Sequence, residues 1–164
     1  MSPIFTKLNL KDQTEIVVAN APASFEPEIA SLRGVTVRRA MTDAKQVAFS
    51  LAFATTQKEV DTLAKSIASK AVGDAIVWIA YPKGTSKKYT CEFNRDTGWA
   101  AFGDAGFEPV RMVAIDEDWS ALRFRRAEFI KTMTRPAEYR YSAQAKARAE
   151  RPVGQRAKGK VTKK

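Results

Sequence analysis

The chain has no histidine and a single cysteine, Cys91. These two shortages exclude the usual zinc sites, a Cys–His pair and a Ser-His-Asp triad, because each needs an imidazole or several thiolates. An intrachain disulfide is excluded as well. The longest apolar run, Ala75 to Tyr81, spans 7 residues, against roughly 20 for a membrane-spanning helix. The opening, Met1-Ser2-Pro3-Ile4-Phe5-Thr6-Lys7, lacks the basic-then-apolar order of a secretory leader. A reducing, soluble, cytoplasmic setting is therefore expected, with no membrane partner.

What is present is ordinary in amount and uneven in place. The 164 residues are 45% hydrophobic and 28% charged, enough to bury the core of one domain. The net charge is +10. Residues 1–130 carry 17 Lys/Arg and 16 Asp/Glu, whereas residues 131–164 carry 11 and 2. The body is near neutral, and the tail holds almost all the excess. The expected division is an α/β domain over residues 1–133 and a basic Ala/Lys/Arg-rich tail over 134–164, partly helical or disordered.

Along the body, Thr14 to Ala19 reads as a β-branched first strand. A helix follows, with Ser24 as N-cap, Pro27 in its first turn and Gly34 as its stop. Val35 to Ala40 reads as a short strand. Val47 to Ala54 alternates bulky and small residues without a charge, the pattern of a strand covered on both faces. Thr56-Gln57-Lys58-Glu59 is a capping box. Behind it Val60, Leu63, Ala64, Ile67 and Ala71 keep helical spacing, and Gly73 is read as the terminator. The apolar run from Ala75 comes next, as a parallel crossover requires. Asn94 is read as the cap of a helix from Arg95 to about Ala105, ended by Gly106. Val110–Ile115 and Ser120–Arg125, joined by a four-residue acidic link, must pair antiparallel.

The fold class expected is thus α/β and Rossmann-like. It has a mostly parallel sheet of about 5–6 strands, a C-terminal antiparallel hairpin and a basic tail. Three stretches carry a resemblance: Tyr81-Pro82-Lys83-Gly84-Thr85-Ser86-Lys87, Asn94-Arg95-Asp96, and Val113 through Arg125. They resemble an uncharacterised family of small bacterial proteins with a shortened methyltransferase-type sheet. The resemblance implies a fold and the position of a site, and supplies no chemistry. The loop after the first strand, Asn20-Ala21-Pro22-Ala23-Ser24, has no glycine. Dinucleotide and adenosyl-methionine sites use glycines there for close backbone approach, so no cofactor is expected.

The basic loop after the apolar run is the candidate site, because open α/β sheets bind ligands outside the carboxyl ends of their strands. Lys83 and Lys87 (with Lys88) supply charge, Gly84 lets backbone N–H groups face an anion, and Thr85 and Ser86 add hydroxyls. Tyr81 and Arg123 complete the set. Trp119 is either a core plug or an aromatic lid. The alternative for the loop is a solvated turn. Rather than acting as bases, Asp96 is read as supporting its helix N-terminus, and Asp116 and Asp118 as pairing with Arg123 or Arg125; Cys91 is read as inert, and no residue is assigned as catalytic or metal-binding. In the tail, Lys146, Arg148, Arg151, Arg156, Lys158 and Lys160 form a cationic arm. Such an arm contacts nucleic-acid phosphates without sequence preference, or is simply solvated. The favoured function is binding of an anionic small ligand. The alternatives are a nucleic-acid-associated protein and a divergent methyltransferase-like transferase.

Overall fold

The computed structural model describes residues 3–130. The tail residues Lys146, Arg148, Arg151, Arg156, Lys158 and Lys160 lie outside them. Six strands form one mixed sheet: β1 (Glu15–Ala19), β2 (Thr36–Arg38), β3 (Val47–Phe53), β4 (Ala71–Pro82), β5 (Phe107–Ala114) and β6 (Trp119–Arg126). Their order is β2-β1-β3-β4-β6-β5. The first four are parallel. β6 runs antiparallel to both β4 and β5. The antiparallel strand is therefore internal, and β5, which runs with β4, forms the margin.

β3, and β4 from Ala75 onward, carry no charge because both sheet faces are covered there. On one face lie α1 (Pro3–Lys7) and α2 (Glu26–Ala30); their Phe5 and Ile29, with Phe25 just before α2, pack on Phe49, Leu51, Phe53 and Trp78. On the other lie α3 (Gln57–Lys70) and α4 (Ala100–Asp104). There Val60, Leu63, Ala64, Ile67 and Phe102 pack on Ala52, Val77, Ile79 and Phe124. The bulky and small alternation in β3 thus has a cause. Its phenylalanines fill one face, while Ala52 and Ala54 let α3 approach the other.

The capping box forms as expected. The Thr56 side chain accepts from the Glu59 amide, and the Glu59 carboxylate accepts from the Thr56 amide. Three expectations are corrected. Ser24 lies inside a 3₁₀ turn, Ala23–Phe25, and the α2 cap is Phe25, with no side-chain bond. Gly73, at φ +54°, does not end α3 but sits within β4. Its positive φ accompanies a register shift, in which Val47 pairs with Ala71 and Phe49 with Ile76. Asn94 caps no helix. Its Oδ1 accepts from the amides of Asp96 and Thr97, a side-chain-closed turn, and α4 begins only at Ala100.

Candidate functional site

β4 leaves the sheet at Pro82, opposite Trp119. The ladder continues one step further, since the Lys83 amide donates to the Asp118 carbonyl at 2.8 Å. The chain then folds back, with the Ser86 amide donating to the Lys83 carbonyl at 3.0 Å. Ser86 Oγ donates to Asp118 Oδ1 at 2.9 Å and accepts from the Lys88 and Tyr89 amides. The acidic turn is held in turn by Asp116, whose Oδ1 accepts from the Asp118 and Trp119 amides. Asp116 and Asp118 are accordingly structural, as expected, though their partners are amides and Ser86 rather than arginines.

The loop is thus pinned at Lys83 and Ser86 and presents its lysines outward. Lys87, Lys88, Gly84 and Thr85 are exposed, and Lys83 is partly so. Neither Lys83, Lys87 nor Lys88 has an ion pair among the described residues. Lys88 Nζ lies 5.8 Å from the centre of the Tyr89 ring. Nothing stands within 4 Å of where a Gly84 Cβ would be, and its φ is not positive. Packing and backbone conformation therefore leave that position open.

The eight ligand-binding candidates do not form one cluster. Lys83, Gly84, Thr85, Ser86 and Lys87 stay together. Tyr81 points to the α3–α4 face and is buried against Phe93 and Trp99, its hydroxyl 3.3 Å from Met112 Sδ. Trp119 points to the opposite face. It is packed edge-on to Phe53 at 5.1 Å and against Tyr89 at 4.9 Å. Of the two readings open for it, the core plug describes its place, although its buried Nε1 has no hydrogen-bond partner among the described residues. Arg123 sits four residues further along β6, opposite Trp78.

Burial raises the Tyr81 hydroxyl to a pKa of about 12. Burial disfavours the charged phenolate, so the native state holds its proton longer than the unfolded chain does. The stability so contributed is complete below pH 10 and is lost as pH rises toward 12. A spectrophotometric titration should show one of the four tyrosines ionising late. The late step should vanish in Tyr81→Phe. Burial likewise pushes the Cys91 thiol up, in keeping with an inert cysteine.

The topological switch lies one strand away from this loop, between β1 and β3, because the chain passes from β1 to β2 on one side and returns to β3 on the other. Ligands of open α/β sheets ordinarily enter there. Here the strand ends and the start of α3 hold hydrogen bonds within the chain. Asn20, in the left-handed region at φ +61°, donates from Nδ2 to the Phe53 carbonyl at 3.3 Å. At the entry to α3, Glu59 Oε1 accepts from the Thr55 and Thr56 amides. Glu92 Oε1 accepts from the Gln57 amide at 2.9 Å. Sequence reasoning missed Asn20, Glu92 and Tyr89. Glu92 is 35 residues from Gln57, and no local pattern marks the pair.

No group of three or more His, Cys, Asp or Glu among the described residues is placed to hold a metal ion. No described helix is long and apolar enough to cross a membrane. No family model matches the chain, and no curated protein matches it. Among solved structures, a candidate tRNA methyltransferase from Streptococcus pneumoniae is similar over 85% of this chain and 75% of its own, with 10% identity and a TM-score of 0.41. A likeness of that size carries no conclusion about what this chain binds or does.

Proposed function

We propose that this protein is a Rossmann-like module that binds a phosphate-bearing small ligand at the loop Lys83–Lys88. The observation that carries this reading is the loop's construction. Three lysines without ion pairs among the described residues stand on a turn fixed by Ser86 and Asp118, beyond the carboxyl end of an interior strand. An ammonium held near a phosphate contributes both Coulomb attraction and a charge-assisted hydrogen bond. Fixing the turn beforehand lowers the ordering cost of binding. The Tyr89 amide donates to Ser86 Oγ and its ring packs on Trp119, while Tyr81 and Arg123 are outside this site.

A thermal-shift screen of nucleotides and phosphorylated metabolites tests the reading. A ligand should raise Tm, and Lys83→Ala should reduce the rise, with affinity falling about ten-fold. Gly84→Ala should leave the unliganded Tm within about 2 °C, because nothing in the fold occupies that space. If no phosphate-bearing compound stabilises the protein, or Lys83→Ala changes nothing, the reading fails.

The second reading, nucleic-acid binding through residues 134–164, is favoured by the charge division of 11 basic to 2 acidic residues over 131–164. Gel shifts with and without that segment at two salt concentrations separate it from the first. The divergent-transferase reading has least support. The β1–β3 junction offers bound amides and the Asn20 bridge where an adenosyl-methionine would need open backbone.

A further inference from the structure

β5 and β6 place two arginines directly opposite each other. Arg111 pairs with Arg123, and Arg123 pairs in turn with Trp78 of β4. Cross-strand partners share a face, so both guanidinium groups rise from the same side of the sheet. That side also carries Val113 and Ala121, the next pair along. Like charges directly opposite destabilise a strand pair, and a sheet margin would ordinarily offer a neutral or acidic partner.

The surrounding charges do not resolve the conflict. Arg125 occupies Asp74, with Nε and Nη2 contacts at 2.8 and 2.6 Å. Glu108 stands opposite Arg125, not Arg123. Arg123 is half-buried, and its Nε is shielded from water without a hydrogen-bond partner among the described residues. Burial and the neighbouring Arg125 and Arg111 weigh against its charge, and Asp74 alone acts the other way. Arg111 is exposed, so the pair is open from one side.

We propose that Arg111 and Arg123 together hold a dianionic phosphate group on the outer margin of the sheet. Two planar forks meet a tetrahedral oxyanion with several parallel N–H···O bonds. One dianion neutralises both cations, and binding at the guanidinium groups changes the environment of the shielded Arg123 Nε–H. This position is separate from the Lys83–Lys88 loop, because four residues of β6 place it about 13 Å from Trp119.

The test is an NMR titration of the ¹⁵N-labelled full-length chain with inorganic phosphate, following the Arg123 Nε–H resonance, with chloride at matched ionic strength as control. The resonance should shift saturably with phosphate and not with chloride. Arg111→Met should weaken that phosphate response about ten-fold or more, whereas Lys83→Ala should leave it unchanged. Without phosphate, Arg111→Met should raise Tm by about 1–3 °C, since it removes the repulsion while keeping an unbranched stem. Dimethyl phosphate, a monoanionic diester, should bind more weakly than inorganic phosphate. An equal response to chloride, an unchanged affinity in Arg111→Met, or tighter binding of the diester overturns the proposal. If Lys83→Ala abolishes the Arg123 response, the phosphate belongs to the loop and this site is wrong. Persistence of that response with no effect of Lys83→Ala elsewhere sinks the loop instead.

Discussion

Alanine at Lys83, Lys87 and Lys88 together is expected to weaken binding of inorganic pyrophosphate at the loop about 100-fold. The magnitude follows from losing the charge-assisted contacts of Lys83 and Lys87 at about 1.5 kcal/mol each, with 1.4 kcal/mol per ten-fold in affinity and no direct contact counted for Lys88. The fold itself should lose no more than about 1.5 kcal/mol. None of these lysines has an ion pair among the described residues, and surface changes of this kind stay within about 0.5 kcal/mol. Loss of the Lys88 contact with the Tyr89 ring adds about 0.5–1 kcal/mol at an exposed position. Calorimetry at fixed ionic strength, beside a melting curve, checks both halves. Equal affinity in the triple variant would remove the lysines from any role in recognition.

Trp99→Ala is expected to destabilise the protein by about 3–5 kcal/mol, a large fraction of the roughly 5–15 kcal/mol a domain has in all. Trp99 is fully buried between the sheet and α4. Its ring meets Tyr81 at 5.8 Å, Phe93 at 5.0 Å and Phe124 at 5.1 Å, and Phe124 stacks on Phe102 at 4.4 Å. Its Nε1 also donates to the Asn94 carbonyl at 2.9 Å, which fastens the turn at 94–97 to the core. Truncation therefore loses transfer energy, opens a cavity and leaves that turn unsupported. Urea unfolding should show a lower midpoint with an unchanged slope. A loss under about 1 kcal/mol would mean that this aromatic cluster does not hold the α3–α4 layer.

The parts of the fold that could be read from sequence are those whose cause is local. The capping box at Thr56 and Glu59 and the apolar stripe of α3 depend on spacing alone. β3 and β4 declared their burial by lacking charges over most of their length. The short link at Asp116–Asp118 left only an antiparallel hairpin. What could not be read depends on distant residues. Gly73 resembled a helix stop because the same positive φ serves a strand irregularity as well, and only the register of β3 distinguishes them. Asn94 resembled a cap because its carboxamide does accept backbone amides, in a turn rather than a helix.

The site divides along the same line. The basic loop and its place after an interior strand were visible in the residues 75–88. The faces of Tyr81 and Trp119 were not: they are set by strand parity once Pro82 pairs with Trp119. Ser86 was read as a ligand group, yet its hydroxyl bonds Asp118, 32 residues away, and so fixes the loop instead. The Asn20 bridge and the Glu92 carboxylate at the start of α3 bind backbone groups beside the β1–β3 junction by contacts with no sequence signature.

Crystals soaked in pyrophosphate test the central claim most directly. The expected density lies beyond Pro82, within hydrogen-bond distance of Lys83 and Lys87, with the Ser86–Asp118 contact intact. Pyrophosphate seated instead between Asn20 and Phe53, with Glu92 displaced from the Gln57 amide, would contradict it.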